Sequence, residues 1–326
     1  MSLFVITLFQ CGFTVILVGL IRRYAQQHLL DAPNARSSHS IPTPRGGGLG
    51  SVLAYVLLGG YYFFTQQINL QYFASLIIGL AIAGVGFMDD HRHVPARWRM
   101  LVQLAASSAA VYCLPAPEFI FTAWLGYGVA VLFITWCINL FNFMDGIDGI
   151  AGVEAVFVAS ILGYLLWHTN TPLALLSISL ASVSIGFLVW NWPPAKIFMG
   201  DVGSGYLGFI LGVLILLAAQ TDLAIGCAGL IAFAVFVVDA TLTLVQRIVS
   251  GQKFYQAHCS HAYQHAAKRY GHLKVIAVVC GINILFLFPL AMLASYYPKF
   301  AWVYLLIAYL PLIGLAYGFR AGRMHG

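Results

Sequence analysis

The chain has only ten acidic residues, and their spacing gives the first chemical reading. In NLFNFMDGIDGIAG, Asn139, Asn142, Asp145 and Asp148 recur at three-residue steps, which on a helical turn sets neighbours on roughly one face. Gly146 and Gly149 permit tight turns or close backbone approach there. In GFMDDHRH, Asp89 and Asp90 are adjacent carboxylates whose repulsion calls for a nearby cation or a shared proton. Acids are disfavoured at a helix C-terminus, which weakens the alternative of a solvated helix end. In NWPPAKIFMGDVGSG, glycines open a helix and offer free backbone N–H groups to a phosphate. Asp201 beside them can hold Mg²⁺, which takes one or two carboxylates plus substrate oxygens and water, and Phe198 can stack on a flat base. The bland alternatives are a capped loop between two helices for the first string and a helix cap with a core phenylalanine for the last.

Two further strings carry basic groups. IPTPRGGGLG places Arg45 before three glycines, a phosphate clamp or simply a loop leading into close helix packing. QAHCSHAYQHAAKRYGH carries His258, His261, His265 and His272 with Lys268 and Arg269. No cysteine–histidine spacing completes a zinc site, which leaves donors to a diphosphate or sugar, or a solvated basic loop. The six cysteines are scattered and are assigned no chemistry.

The elements that must position these groups are membrane helices. Hydrophobic residues make up 61% of the 326 and charged residues 8%, against about a quarter charged in soluble domains. Apolar stretches of about twenty residues recur, each long enough to cross a bilayer. Backbone pairing in lipid selects helices, and the runs do not alternate as a β-barrel would. The expectation is one all-α, polytopic catalytic domain over 1–326 with about eleven transmembrane helices. Their windows are 2–21, 46–65, 70–88, 98–114, 123–141, 150–167, 172–190, 203–219, 223–246, 273–295 and 300–319. The first reads as a retained helix: no positive charge precedes it and Arg22 and Arg23 follow it. With the N-terminus periplasmic and the C-terminus cytoplasmic, every Lys and Arg except Lys299 falls on the cytoplasmic side, as the positive-inside rule requires. Asp31, Asp89, Asp90, Asp145, Asp148, Asp201 and Asp239 gather on that same side, Glu118 and Asp222 on the other, and Glu154 in or near a span. Acids at membrane depth are costly and usually functional. A net charge of +6 concentrated on one face suits anionic headgroups and phosphates. A transporter would set its acids near the midplane of repeated halves, and no repeat is visible.

Taken in order, TPRGGG, GFMDD, NFMDGIDG, IFMGDVGS and HCSHAYQ resemble the glycosyltransferase 4 family of polyprenyl-phosphate N-acetylhexosamine-1-phosphate transferases. That resemblance implies a Mg²⁺-dependent enzyme, with Mn²⁺ as a substitute, in the bacterial inner membrane with its site facing the cytoplasm. A lipid phosphate, undecaprenyl phosphate, would attack the β-phosphorus of a UDP-sugar and release UMP. By the same resemblance Asn142 and Asp201 would hold the metal, and Asp148 and Phe198 would contact uracil. Asp89 and Asp90 would lie beside the lipid phosphate, with Arg45, Arg97 and Arg99 as phosphate contacts. Asn139, Asp145, His258 and His261 complete the expected substrate-binding set. Partners would be the UDP-sugar, the lipid and the membrane, with a homodimer compatible and nucleic acid excluded. The muramoyl-pentapeptide branch carries consecutive histidines where this chain has HCSHAYQ. The string is most similar to the O-antigen-initiating branch of Gram-negative bacteria, implying UDP-GlcNAc or deoxy relatives such as UDP-FucNAc or UDP-QuiNAc.

Overall fold

The computed structural model describes residues 3–33, 41–115, 123–252 and 259–323. The chain is helical almost throughout. In order come α1 (Leu3–His28), a two-residue antiparallel bridge between β1 (Leu30–Asp31) and β2 (Thr43–Pro44), α2 (Gly48–Phe64), α3 (Leu70–His91), α4 (Ala96–Cys113), α5 (Ala123–Met144), α6 (Ile150–Leu166) and α7 (Thr171–Asn191). Then follow α8 (Gly200–Thr221), α9 (Leu223–Ala232), α10 (Ala234–Val249), α11 (Ala262–Tyr270), α12 (His272–Ile282), a π-helical turn (Asn283–Leu287), α13 (Phe288–Tyr296) and α14 (Ala301–Gly318).

Local chemistry sets several boundaries. Asn69 accepts from Tyr72 N at 2.9 Å and Asn170 from Leu173 N at 3.2 Å, and Asp222 accepts from Ala224 N at 2.7 Å. Each satisfies an N–H that the first helical turn leaves open. Pro172 occupies the first turn of α7, where a missing N–H costs nothing.

Seven helices of the described residues are long and apolar enough to cross a membrane, or eight if the bent pair α9–α10 is one span. Helices fall on all eleven expected windows, but α2 and α6 are only 17 residues long and α4 is not among the helices apolar enough to cross, so the expected eleven spans reduce to seven or eight by length and composition. The window 223–246, expected as one helix, is broken at Phe233 with a bend of 70°. The window 273–295 contains the π-helical turn, with Pro289 in the first turn of α13.

The centre of the bundle is α8, which packs against α3, α5, α9 and α2 and has 94% of its most apolar window buried. Close approach requires small residues at that crossing. A Cβ on Gly203 would stand 2.5 Å from Met199 Cγ and 2.6 Å from Gly48 Cα, distances that real carbons do not tolerate. The α2 and α8 N-termini are thereby drawn together, and the loop ahead of α2 docks on the segment ahead of α8. Phe198 N donates to Pro44 O, Gly47 N to Phe198 O and Gly48 N to Met199 O, each at 2.9 Å.

Candidate active site

The end of α3 meets the start of α8 through Asp90. Its Oδ1 accepts from Asp201 N at 3.0 Å and its Oδ2 from Val202 N at 3.2 Å. A carboxylate from one helix thus caps another, where its charge also complements the helix dipole. Arg45 closes the same junction. Its Nε donates to Asp90 O at 3.0 Å, its Nη2 also reaches that carbonyl, and Nε lies 3.8 Å from Asp90 Oδ1.

Asp89 faces the other way. Its Oδ1 accepts from Val94 N and its Oδ2 from Arg99 Nη1, both at 2.6 Å. The same Nη1 donates to Asp201 Oδ2 at 2.6 Å, so one guanidinium joins the α3 and α8 acids. Asp201 Oδ1 accepts from Asn142 Nδ2 at 3.0 Å, and that nitrogen also donates to Ser204 Oγ at 2.8 Å.

The loop between α5 and α6 supplies the opposite wall. Asp148 Oδ2 accepts from Ala195 N at 3.0 Å and lies 3.3 Å from His272 Nδ1. Asn191 accepts from Gly149 N at 2.8 Å and donates to Ile197 O at 2.9 Å, tying this loop to the segment that carries Phe198. Asp145 lies within the loop, and burial raises its carboxyl well above the ordinary range, reinforced by the charges of Asp201, Asp90 and Asp148. Such a cluster has a strong electrostatic demand for a cation.

Arg45, Asp90, Asn142, Asp145, Asp148, Asn191 and Asp201 line one cavity of about 230 Å³ together with Asp31, Phe198 and Gln264, whereas Asp89, Arg99 and His272 are not among its lining residues. Phe198 is half-buried in its wall. The sequence-predicted acids therefore converge at one end of the bundle. Among the described residues no three of His, Cys, Asp and Glu form a ready-made metal set. A hard cation would instead rely on the Asp201 carboxylate and the Asn142 amide, with substrate oxygens and water completing six ligands.

Several expectations are corrected. α5 ends at Met144, so Asn139, Asn142, Asp145 and Asp148 do not share one helical face. Asn139 turns to α4, donating to Gln103 Oε1 and Thr135 O, both at 2.8 Å. Arg97 is exposed, with its guanidinium 5.8 Å from the Trp98 ring centroid, while Arg99 alone of that pair enters the acid cluster. His261 directs Nδ1 to Asp239 Oδ1 at 3.3 Å and is not among the residues lining the cavity. His258 lies outside the described residues. Asp31, Asn191 and Gln264 were not anticipated at the site.

Residues 72–219 match the sequence model of glycosyl transferase family 4. A probable undecaprenyl-phosphate N-acetylglucosaminyl 1-phosphate transferase of Bacillus subtilis is 28% identical over 92% of this chain and 86% of its own length. A decaprenyl-phosphate N-acetylglucosaminephosphotransferase of Mycobacterium leprae is 29% identical over 82% of this chain and 75% of its own length. A phospho-N-acetylmuramoyl-pentapeptide-transferase of Rhodopseudomonas palustris is 28% identical over 66% and 69%. The matched segment runs from α3 through α8, the two helices whose ends meet at Asp90, so it is the part of the chain that builds this junction that is similar to the family.

Proposed function

We propose that this chain transfers an N-acetylhexosamine-1-phosphate from a UDP-sugar to undecaprenyl phosphate and releases UMP. The observation that carries the reading is the single cavity in which Asn142, Asp145, Asp148, Phe198 and Asp201 meet, in a chain whose relatives are named for that type of transfer. Asn142 and Asp201 would hold Mg²⁺. Bound there, the ion supplies charge neutralisation at the diphosphate.

The protein's own groups supply orientation. Phe198 offers a face for the uracil and Asp148, fixed by Ala195 N and His272, a rigid acceptor beside it. Asp90 acts by seating α8 and hence Asp201. Asp89, with Arg99, faces the incoming lipid phosphate. A phosphate monoester has a second pKa of about 6, so the nucleophile is largely dianionic at neutral pH without a strong base. Direct attack on the β-phosphorus then needs alignment more than proton transfer. One diphosphate bond is broken and one formed, so the exchange is close to balanced.

The finer reading is a multi-span inner-membrane enzyme, with a periplasmic N-terminus and the cavity opening to the cytoplasm. It initiates O-antigen or a related surface polysaccharide, using UDP-GlcNAc or a deoxy relative. Supporting it are the one-sided placement of Lys and Arg and the HCSHAYQ string.

The test is to incubate purified protein with undecaprenyl phosphate, Mg²⁺ and a panel of UDP-N-acetylhexosamines, measuring UMP and lipid-linked sugar together. Equal amounts of both, abolished by EDTA, are expected. Uptake of UDP-sugar into vesicles with no UMP formed would instead identify a transporter.

A further inference from the structure

We propose that Gln264, presented by α11 and held there by Asp239, reads the sugar of the nucleotide donor; the inference rests on the transferase reading above. The starting point is how α11 is attached. Asp239 on α10 is 6% exposed and accepts from Ala262 N through Oδ1 and from Tyr263 N through Oδ2, both at 2.9 Å. Thr243 Oγ1 donates to Oδ1 at 3.1 Å, and His261 Nδ1 lies 3.3 Å from it. An acid from a neighbouring helix therefore satisfies the N–H groups that open α11. Its second attachment is Tyr263 Oη, which donates to Phe143 O at 2.8 Å in the last turn of α5.

These two anchors seat α11 directly on the loop that delivers Asp145 and Asp148. Gly146 leaves the necessary room: a Cβ there would collide with the Tyr263 hydroxyl and stand 3.0 Å from Gln264 Nε2. Gln264 consequently reaches the cavity. Its Oε1 accepts from His261 N at 3.2 Å, which commits the acceptor and leaves Nε2 to donate. The other two amides lining the cavity, Asn142 and Asn191, donate to protein oxygens. Gln264 Nε2 makes no such bond among the described residues, so it is the neutral donor available at the cavity wall. Phosphate oxygens are matched by charged, forked donors such as arginine. A neutral amide N–H matches a hydroxyl or acetamido oxygen, which are the groups that distinguish one N-acetylhexosamine from another.

The experiment compares full-length wild type with Gln264→Ala and Asp239→Asn. For each, kcat/KM is measured with UDP-GlcNAc, its 4-epimer and its 6-deoxy relative, together with inhibition by UDP, which lacks the sugar. One neutral hydrogen bond corresponds to about a three- to tenfold preference. Gln264→Ala is expected to change the ratio between the best and next sugar by that factor, with the Ki of UDP within about twofold. Asp239→Asn is expected to move the ratio the same way. Should that variant fail to fold, Tyr263→Phe releases α11 at its other anchor and is expected to give the same shift. Unchanged ratios, or a Ki for UDP that rises in step with KM, overturn the role of Gln264. A uniform loss across all sugars in the anchor variant overturns the role of Asp239. If wild type forms no UMP from any sugar, the transferase reading itself falls and this inference with it; active wild type with unshifted ratios sinks the inference alone.

Discussion

α8 and α14 are apolar helices of 22 and 18 residues, and both lie in segments able to cross a bilayer. Yet 94% of the most apolar window in α8 is buried, against 22% for the segment containing α14. Hydropathy does not separate them, because lipid and a helical neighbour are equally apolar solvents for a leucine. Their glycines do. Gly203 in α8 lies against Gly48 and Met199, while a Cβ on Gly314 in α14 would have no atom within 4 Å. The interior helix is the one whose small residues are occupied by a neighbour's backbone, and it is also the one that opens with Asp201. Asp201, at the head of α8, is therefore positioned beside a close helix crossing.

This contrast can be broken in order of size. The largest effect belongs to the chemistry at the head of α8. Asp201→Asn is expected to lower kcat by about 100- to 1000-fold, whereas Arg320→Ala, just beyond α14, should leave turnover within about twofold. Normal turnover of Asp201→Asn across a Mg²⁺ titration would remove Asp201 from the proposed metal site.

Next comes packing. Gly203→Ala is expected to destabilise by about 1–3 kcal/mol through overpacking, and Gly314→Ala to stabilise by about 0.5–1 kcal/mol through helix propensity. Thermal unfolding in detergent reads both, and equal shifts would erase the distinction between the two helices.

The smallest effect concerns Asp145, in the loop beside the head of α8. Its folded pKa is raised, so its contribution is intact below the unfolded value of about 3.9 and is lost as pH rises through the folded value. Asp145→Asn should therefore raise the Tm of EDTA-treated protein at pH 7.5 by a few degrees, with the gain vanishing near pH 4. A Tm unchanged at pH 7.5 would show that the carboxyl is not strained in the fold.

The sequence made the helices legible wherever a long apolar run met a polar punctuation, as at Asn69, Asn170 and Asp222. It did not announce the break at Phe233, because no glycine or proline marks it; Phe233 instead sits in an aromatic cluster with Phe141 and Phe236. At the site, the scarcity of acids made Asp89, Asp90, Asp145, Asp148 and Asp201 readable as a group. Their division of labour was not, because it depends on pairings between distant residues. Asp90 capping α8 and Asp239 capping α11 are long-range contacts without a local motif. Gln264 escaped notice for a related reason. It closes a capping box at the N3 position, but the box opens with His261 rather than the usual serine or threonine.

The meeting of Asp90 with Asp201 also has a temporal side. The two are separated by 111 residues in the chain, and polypeptides grow at about 5–20 residues per second. For roughly 6–20 s after Asp90 is made, the N–H groups it will cap do not yet exist, and neither does the cavity. The pocket is thus a late product of synthesis. Until the eighth helix arrives, two adjacent carboxylates wait at the end of α3 without the backbone N–H groups of Asp201 and Val202 that Asp90 accepts from.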